Sequence, residues 1–199
     1  MQKKRNVAIL IYDDAEVLDF AGPFEVFSVT SELNNHELFN VFTVAEKSSP
    51  ISAVNGLSVN PTYTFGDHPP IDILIISGGN GSRNQMENEN TLNWISDIKD
   101  NLEFLVSICS GSRLLGVLGL LDHRPYCTHH EVYDHMKQIV PTGEPRTEQR
   151  FVRSGNIFTS GGISAGIDLS FHIVNLLHGE DIAVKTATYM EYDWNKAEG

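Results

Sequence analysis

Cysteine is scarce in this chain of 199 residues: only Cys109 and Cys127 occur, too few for a disulfide framework. Positive charge is also in short supply. Lys and Arg number 14 against 26 Asp and Glu, for a formal net charge of −12. That balance repels phosphate backbones and acidic lipid, so neither nucleic acid nor a membrane is expected as a partner. No uninterrupted apolar run reaches the roughly 18 residues of a membrane span. The run "VAILIY" (7–12) is too short for a signal-peptide core, and acidic residues follow it instead of a small-residue cleavage site. A cytoplasmic protein with reduced thiols is the expectation. The eight histidines and two cysteines form no HxxxH or CxxC pair, so no metal is expected. The dinucleotide fingerprint GxGxxG and the phosphate-loop Lys-Ser/Thr are missing too. Internal repeats, low-complexity tracts and linkers are absent, which leaves one domain over 1–199.

What the sequence does contain is an alternation of short apolar runs with helical patterns. "NVAILIY" (6–12), "LFNVFTVAE" (38–46), "IDILIIS" (71–77) and "EFLVSIC" (103–109) read as strands, three of them as continuous apolar runs. "DFAGPFEVFSVTSEL" (19–33) reads as helical with its start near Gly22-Pro23, and "TLNWISDIKDN" (91–101) as an amphipathic helix. "GLSVNPTYTF" (56–65) alternates loosely and predicts an antiparallel excursion, with Pro61 keeping it from the sheet centre. A helix from Ser110, another near 131–140, a hairpin within 148–162 and a closing helix in 164–178 complete the pattern. Continuous apolar strands separated by helices imply a mostly parallel sheet covered on both faces, an α/β sandwich.

Cys109 stands where a strand stops and a helix begins. In open α/β sheets, sites form at the carboxyl ends of strands. Ser110 and Gly111 permit a sharp turn there, as in a nucleophile elbow. Amides at the new helix start favour negative charge, so the thiol pKa is expected well below the free value of roughly 8.5. Spacing alone fits a buried structural cysteine equally well; the flanking residues favour a reactive thiol. Cys127, inside "PYCTH", has no such turn and reads as structural. The cluster "SGGNG" (77–81) is by default a turn. Following a parallel strand, its glycines let backbone amides approach a developing anion, and the amides of Gly79 and Ser110 are the donors expected.

Four segments together resemble the ThiJ/PfpI superfamily: "VLDFAGPFEVF" (17–27), "IDILIISGGNG" (71–81), "CSGSRLLGVLGLLDHRPYCTHH" (109–130) and "GGISAGIDLSF" (161–171). They span nearly the whole chain in the superfamily's order. Within it, the pattern is most similar to the isonitrile hydratase branch and to the ligand-binding half of AraC-type regulators. The resemblance implies a flavodoxin-like three-layer sandwich, a homodimer and an acid opposite the cysteine. That acid falls on Asp19, which its position alone would make a helix N-cap. A carboxyl beside a thiol and partly desolvated has a raised pKa and can pass a proton back and forth. Glu25 is the alternative acid. His129 matches the superfamily's pocket histidine.

The sequence also departs from the hydratase branch. Ser110 replaces a threonine, His130 replaces a tryptophan in the expected pocket lining, and fewer residues follow the closing helix. The activity implied is hydration of small organic isocyanides, without metal or organic cofactor, by a Cys109 nucleophile with Asp19 as general acid and base. Two other readings stand beside it. One is a ligand or oxidant sensor without turnover; direct control of transcription is not expected, because an AraC-type regulator would need a C-terminal helix-turn-helix beyond "MEYDWNK" (190–196). The other is an enzyme acting on small aldehydes.

Overall fold

The computed structural model describes residues 3–194. Seven strands form the central sheet: β1 (Arg5–Leu10), β2 (Phe39–Ala45), β3 (Tyr63–Thr64), β4 (Ile73–Ile76), β5 (Phe104–Ser107), β6 (Phe151–Ser154) and β7 (Ile157–Ser160). Their order is β6-β7-β5-β4-β1-β2-β3, and only the β6–β7 pair is antiparallel. Val7 lies beside Ile73, and Ile73 beside Phe104. Every residue of β4 and β5 is buried, as the unbroken apolar runs require of strands covered on both faces. The expected three-layer sandwich is the fold observed.

Among the described residues seven α-helices flank the sheet: α1 (Val17–Glu32), α2 (Ser82–Gln85), α3 (Glu89–Ile98), α4 (Ser112–Val117), α5 (Tyr133–Ile139), α6 (Ala165–His178) and α7 (Glu180–Tyr189). Helices α1, α6 and α7 pack on one another, while α4 packs on α2 and α5. The hairpin expected in 148–162 is β6–β7, turning at Gly155, whose φ is +66°.

Three boundaries differ from the sequence reading. Helix α1 begins at Val17, so Gly22-Pro23 lies inside it and Asp19 sits in its first turn. The glycine there serves packing: a Cβ at position 22 would come within 2.8 Å of Ile167 Cγ1 on α6. The excursion at 56–65 is divided. Ser58–Val59 pairs antiparallel with Ile51–Ser52, whereas β3 adds to the sheet edge parallel to β2. Helix α7 was missed because the residues it buries, Ala183, Thr186 and Ala187, are small or polar and give a faint apolar stripe.

The chain lays β2 and β3 on one side of β1, then returns to place β4 on the other. The order of strand addition therefore reverses between β1 and β4, although the two strands are parallel. The carboxyl ends of β1, β4, β5 and β7 line up beside that reversal, where α/β sheets form their crevices.

Candidate active site

Cys109 leaves β5 through a tight turn. Its φ is +54°, in the left-handed region, which for a side chain with a Cβ costs about 1–3 kcal/mol. The surroundings hold it there. Its N–H donates to the Gly161 carbonyl at 3.2 Å, and its own carbonyl accepts from Thr128 Oγ1 at 3.0 Å. Gly111 lets the turn lie against β4, since a Cβ at that position would meet the Ile76 carbonyl oxygen at 2.6 Å. The turn is a 3₁₀ segment, Cys109–Gly111, ahead of the six-residue α4.

Asp19 reaches the same point from α1 and is wholly buried. Its Oδ2 accepts from the Gly78 amide at 2.9 Å, while Oδ1 is buried without a hydrogen-bond partner among the described residues. Gly78 faces the crowded space beside acid and thiol. A Cβ at that position would lie 2.7 Å from Asp19 Oδ2, 2.7 Å from Ser110 N and 2.9 Å from Cys109 Cβ.

Burial pushes the Asp19 carboxyl up to about 7, with a contribution from the charge of Glu16. The Gly78 amide, Cys109 and the Ile163 amide pull in the opposite direction. The Cys109 thiol is pushed up to about 12, first by burial and then by the Asp19 carboxylate; the Ser110 and Ile163 amides only partly offset this. The expected depression of the thiol pKa is therefore corrected. A short helix start supplies a few amides, and at 6% exposure desolvation outweighs them. Acid and thiol titrate as a pair, and ionising either one opposes ionising the other.

The remaining expected residues divide. Ser110 joins the two loops: its hydroxyl accepts from the Gly79 amide at 2.9 Å and donates to the Gly79 carbonyl at 3.0 Å. The Gly79 N–H is thus committed to Ser110, and its φ of +103° serves a close approach to the Asp14 carbonyl. His129 lines the cavity in front of Cys109. Gly162 makes room for its ring, and burial lowers its pKa, assisted by His130. Its Nδ1 accepts from the Glu131 amide at 3.3 Å, so the neutral ring carries its proton on Nε2.

Three other residues lie off the cavity wall. His130 does not line it, contrary to expectation: its side chain is 80% exposed and its ring lies tilted against His129, with centroids 4.2 Å apart. Glu25 lines a separate surface cavity with Phe20 and Phe24. Cys127 is fully buried, its Sγ donating to the Arg146 and Gln149 carbonyls, and burial pushes it up to about 12.

The cavity measures about 320 Å³. Among the described residues no group of three His, Cys, Asp or Glu is placed to hold a metal ion. Residues 5–176 match the DJ-1/PfpI family. The chain belongs to that family. Isonitrile hydratase of Pseudomonas putida is 33% identical over 188 residues, which cover 94% of this chain and 78% of that protein. A ThiJ/PfpI family protein from Pseudomonas syringae superposes with a TM-score of 0.86 at 28% identity, covering 98% of this chain and 77% of that one. The HTH-type transcriptional regulator GbdR of Pseudomonas aeruginosa is 24% identical over 95% of this chain, which spans about half (51%) of the regulator's length. The family thus holds relatives named as an enzyme and as a regulator.

Sequence reasoning passed over four residues of this site. Gly78 read as one glycine of a turn. Ile163, with φ +53°, is a β-branched residue in a conformation its type disfavours, and no pattern announced it. Arg83 and Arg113 also line the cavity. Arg113 did leave a signal, as the one charge in the apolar stretch "SRLLGVLGLL".

Proposed function

We propose that the protein hydrates small organic isocyanides to N-substituted formamides, with Cys109 as nucleophile and Asp19 as proton carrier. One observation carries the reading: a buried carboxyl and a buried thiol crowd the same point beside Gly78, and the thiol lines a small cavity. The relative named isonitrile hydratase supports the choice of substrate.

The chemistry follows from the paired titration. Because the thiol pKa is high, attack requires a base at the moment of reaction, and Asp19 is the group in place. Asp19 takes the thiol proton as sulfur bonds to the terminal isocyanide carbon. It then delivers that proton to the same carbon, giving a thioimidate on Cys109. Water adds to the thioimidate carbon, with Asp19 as base. Asp19 passes that water proton to nitrogen, and the C–S bond then breaks as the hydroxyl proton moves to sulfur, releasing formamide and the thiol. The Ser110 and Ile163 amides face the sulfur while it carries negative charge. His129 Nε2–H is a donor for the substrate or the entering water. A Gly79 N–H contact to a ligand requires its bond to Ser110 to open.

Butyl isocyanide supplied to the purified protein should yield butylformamide over many turnovers, and Cys109→Ala should yield none. Turnover of methylglyoxal in place of the isocyanide would move the function to aldehydes. Consumption of a single equivalent of electrophile, without sustained product, would make the protein a sensor.

A further inference from the structure

The cavity beside Cys109 contains a charge that folding leaves unpaired. Arg113, the second residue of α4, is only 4% exposed, yet its side chain lines the cavity together with Arg83 and Cys109. Its Nη1 donates to Ser82 Oγ at 2.8 Å and its Nε to His135 Nδ1 at 3.1 Å. Both partners are neutral. Burial and the charges of Arg113 and Arg83 lower the pKa of His135, in keeping with a neutral ring whose Nδ1 accepts from the guanidinium.

The cavity's two carboxylates, Glu16 and Glu131, form no ion pair with either arginine among the described residues. The Glu131 side chain is 77% exposed and nearest to His130. The Glu131 charge is therefore solvated, Glu16 is half-buried, and the charge buried in the cavity wall is the cation. A guanidinium taken out of water costs more than two neutral hydrogen bonds return, unless an anion reaches it. Ser82, to which it is bonded, also donates to Ser110 Oγ at 3.1 Å, so the guanidinium is tied to the cysteine turn. The Nη2 group has no partner among the described residues. Nη2 is left to donate to a carboxylate, the anion whose geometry a guanidinium matches.

We propose that the cavity takes a small electrophile bearing a carboxylate, held by Arg113 with Arg83 at the mouth, while Cys109 meets the electrophilic carbon. This deepens the proposed function. It rests on Cys109 as nucleophile, and under hydration it makes isocyano carboxylates such as isocyanoacetate the preferred substrates.

Two alkylating agents of similar size separate charge recognition from hydration. Iodoacetate and iodoacetamide react alike: Sγ bonds to the methylene carbon, the C–I bond breaks, iodide leaves, and the thiol proton passes to Asp19 or water. Peptide mapping follows Cys109 labelling in the folded protein. Cys109 should react faster with iodoacetate than with iodoacetamide, and the iodoacetate rate should saturate. Arg113→Met should lower the iodoacetate rate about tenfold or more, far beyond its effect on iodoacetamide, and Arg113→Lys should restore part of the difference. A faster reaction with iodoacetamide in the wild type, or an unchanged ratio in Arg113→Met, overturns the proposal.

A second measurement needs no reactivity. An NMR titration should show tighter binding of N-formylglycine than of N-formylglycinamide, and equal binding of the two overturns the carboxylate site. Iodoacetate preference without isocyanide turnover upholds the site and removes only the hydratase reading. Butyl isocyanide turnover without that preference does the reverse.

Discussion

Asp19 and Cys109 share more than proximity, because each group's charge is felt by the other. Replacing Asp19 with Asn removes a carboxylate that holds the thiol pKa up. The pH midpoint for iodoacetamide labelling of Cys109 should therefore fall in Asp19→Asn, even as isocyanide turnover drops by about 10²–10⁴ or more. An unchanged midpoint would mean that burial alone sets the thiol. Stability should respond as well. The folded carboxyl titrates near 7 and the unfolded one near 3.8, so below pH 4 the group is neutral in both states and adds no penalty. As pH rises from 4 to 7, the unfolded chain releases its proton first and native stability falls. Urea unfolding should show Asp19→Asn gaining over the wild type from pH 4 to pH 8, on the order of a few kcal/mol. Equal stability of the two at pH 8 would contradict a strained buried carboxylate.

The elements that carry these residues are connected by contacts too close for side chains. Gly78→Ala places a methyl group against Asp19, Ser110 and Cys109 together, so it should separate acid from thiol and abolish turnover while β4 stays in the sheet. Circular dichroism beside an activity assay checks both halves. Sequence showed part of this arrangement. The turn at Cys109 was legible because a strand pattern and a helical pattern met there with small residues following. The acid on α1 came only from resemblance, since Asp19 ahead of Gly-Pro reads as a cap until α6 explains the glycine by its Ile167 contact. Ile163 remained hidden because its role lies in a backbone torsion, which no side-chain pattern encodes. Arg113 was visible in principle, because a lone charge in an apolar helix must be either misplaced or in use.

At the scale of the whole molecule, the parallel core was the easiest feature to read and α7 the hardest. Strands buried on both faces are apolar without a break, whereas α7 packs small residues and joins α1 through a hydrogen bond between Thr30 and Thr186 at 3.1 Å. The two cysteines report on different scales of motion. Cys127 lies in the interior with its sulfur bonded to two carbonyls, so its labelling should track global unfolding by circular dichroism along a urea series. Cys109 borders the cavity and should label in the folded state. Folded-state labelling of Cys127 at a comparable rate would show that the 146–149 segment opens on its own.

The bond from Cys109 N to the Gly161 carbonyl, with the Ile163 amide beside the sulfur, has a consequence during synthesis. The ribosome delivers the thiol well before the residues that complete its surroundings. At about 5–20 residues per second, the interval from Cys109 to Ile163 lasts several seconds. Throughout that interval the nascent chain carries an ordinary, accessible cysteine, open to any cellular electrophile. β7 and α6 then close around whatever that cysteine carries, so adducts too large to enter the finished cavity should occur only on molecules modified during synthesis.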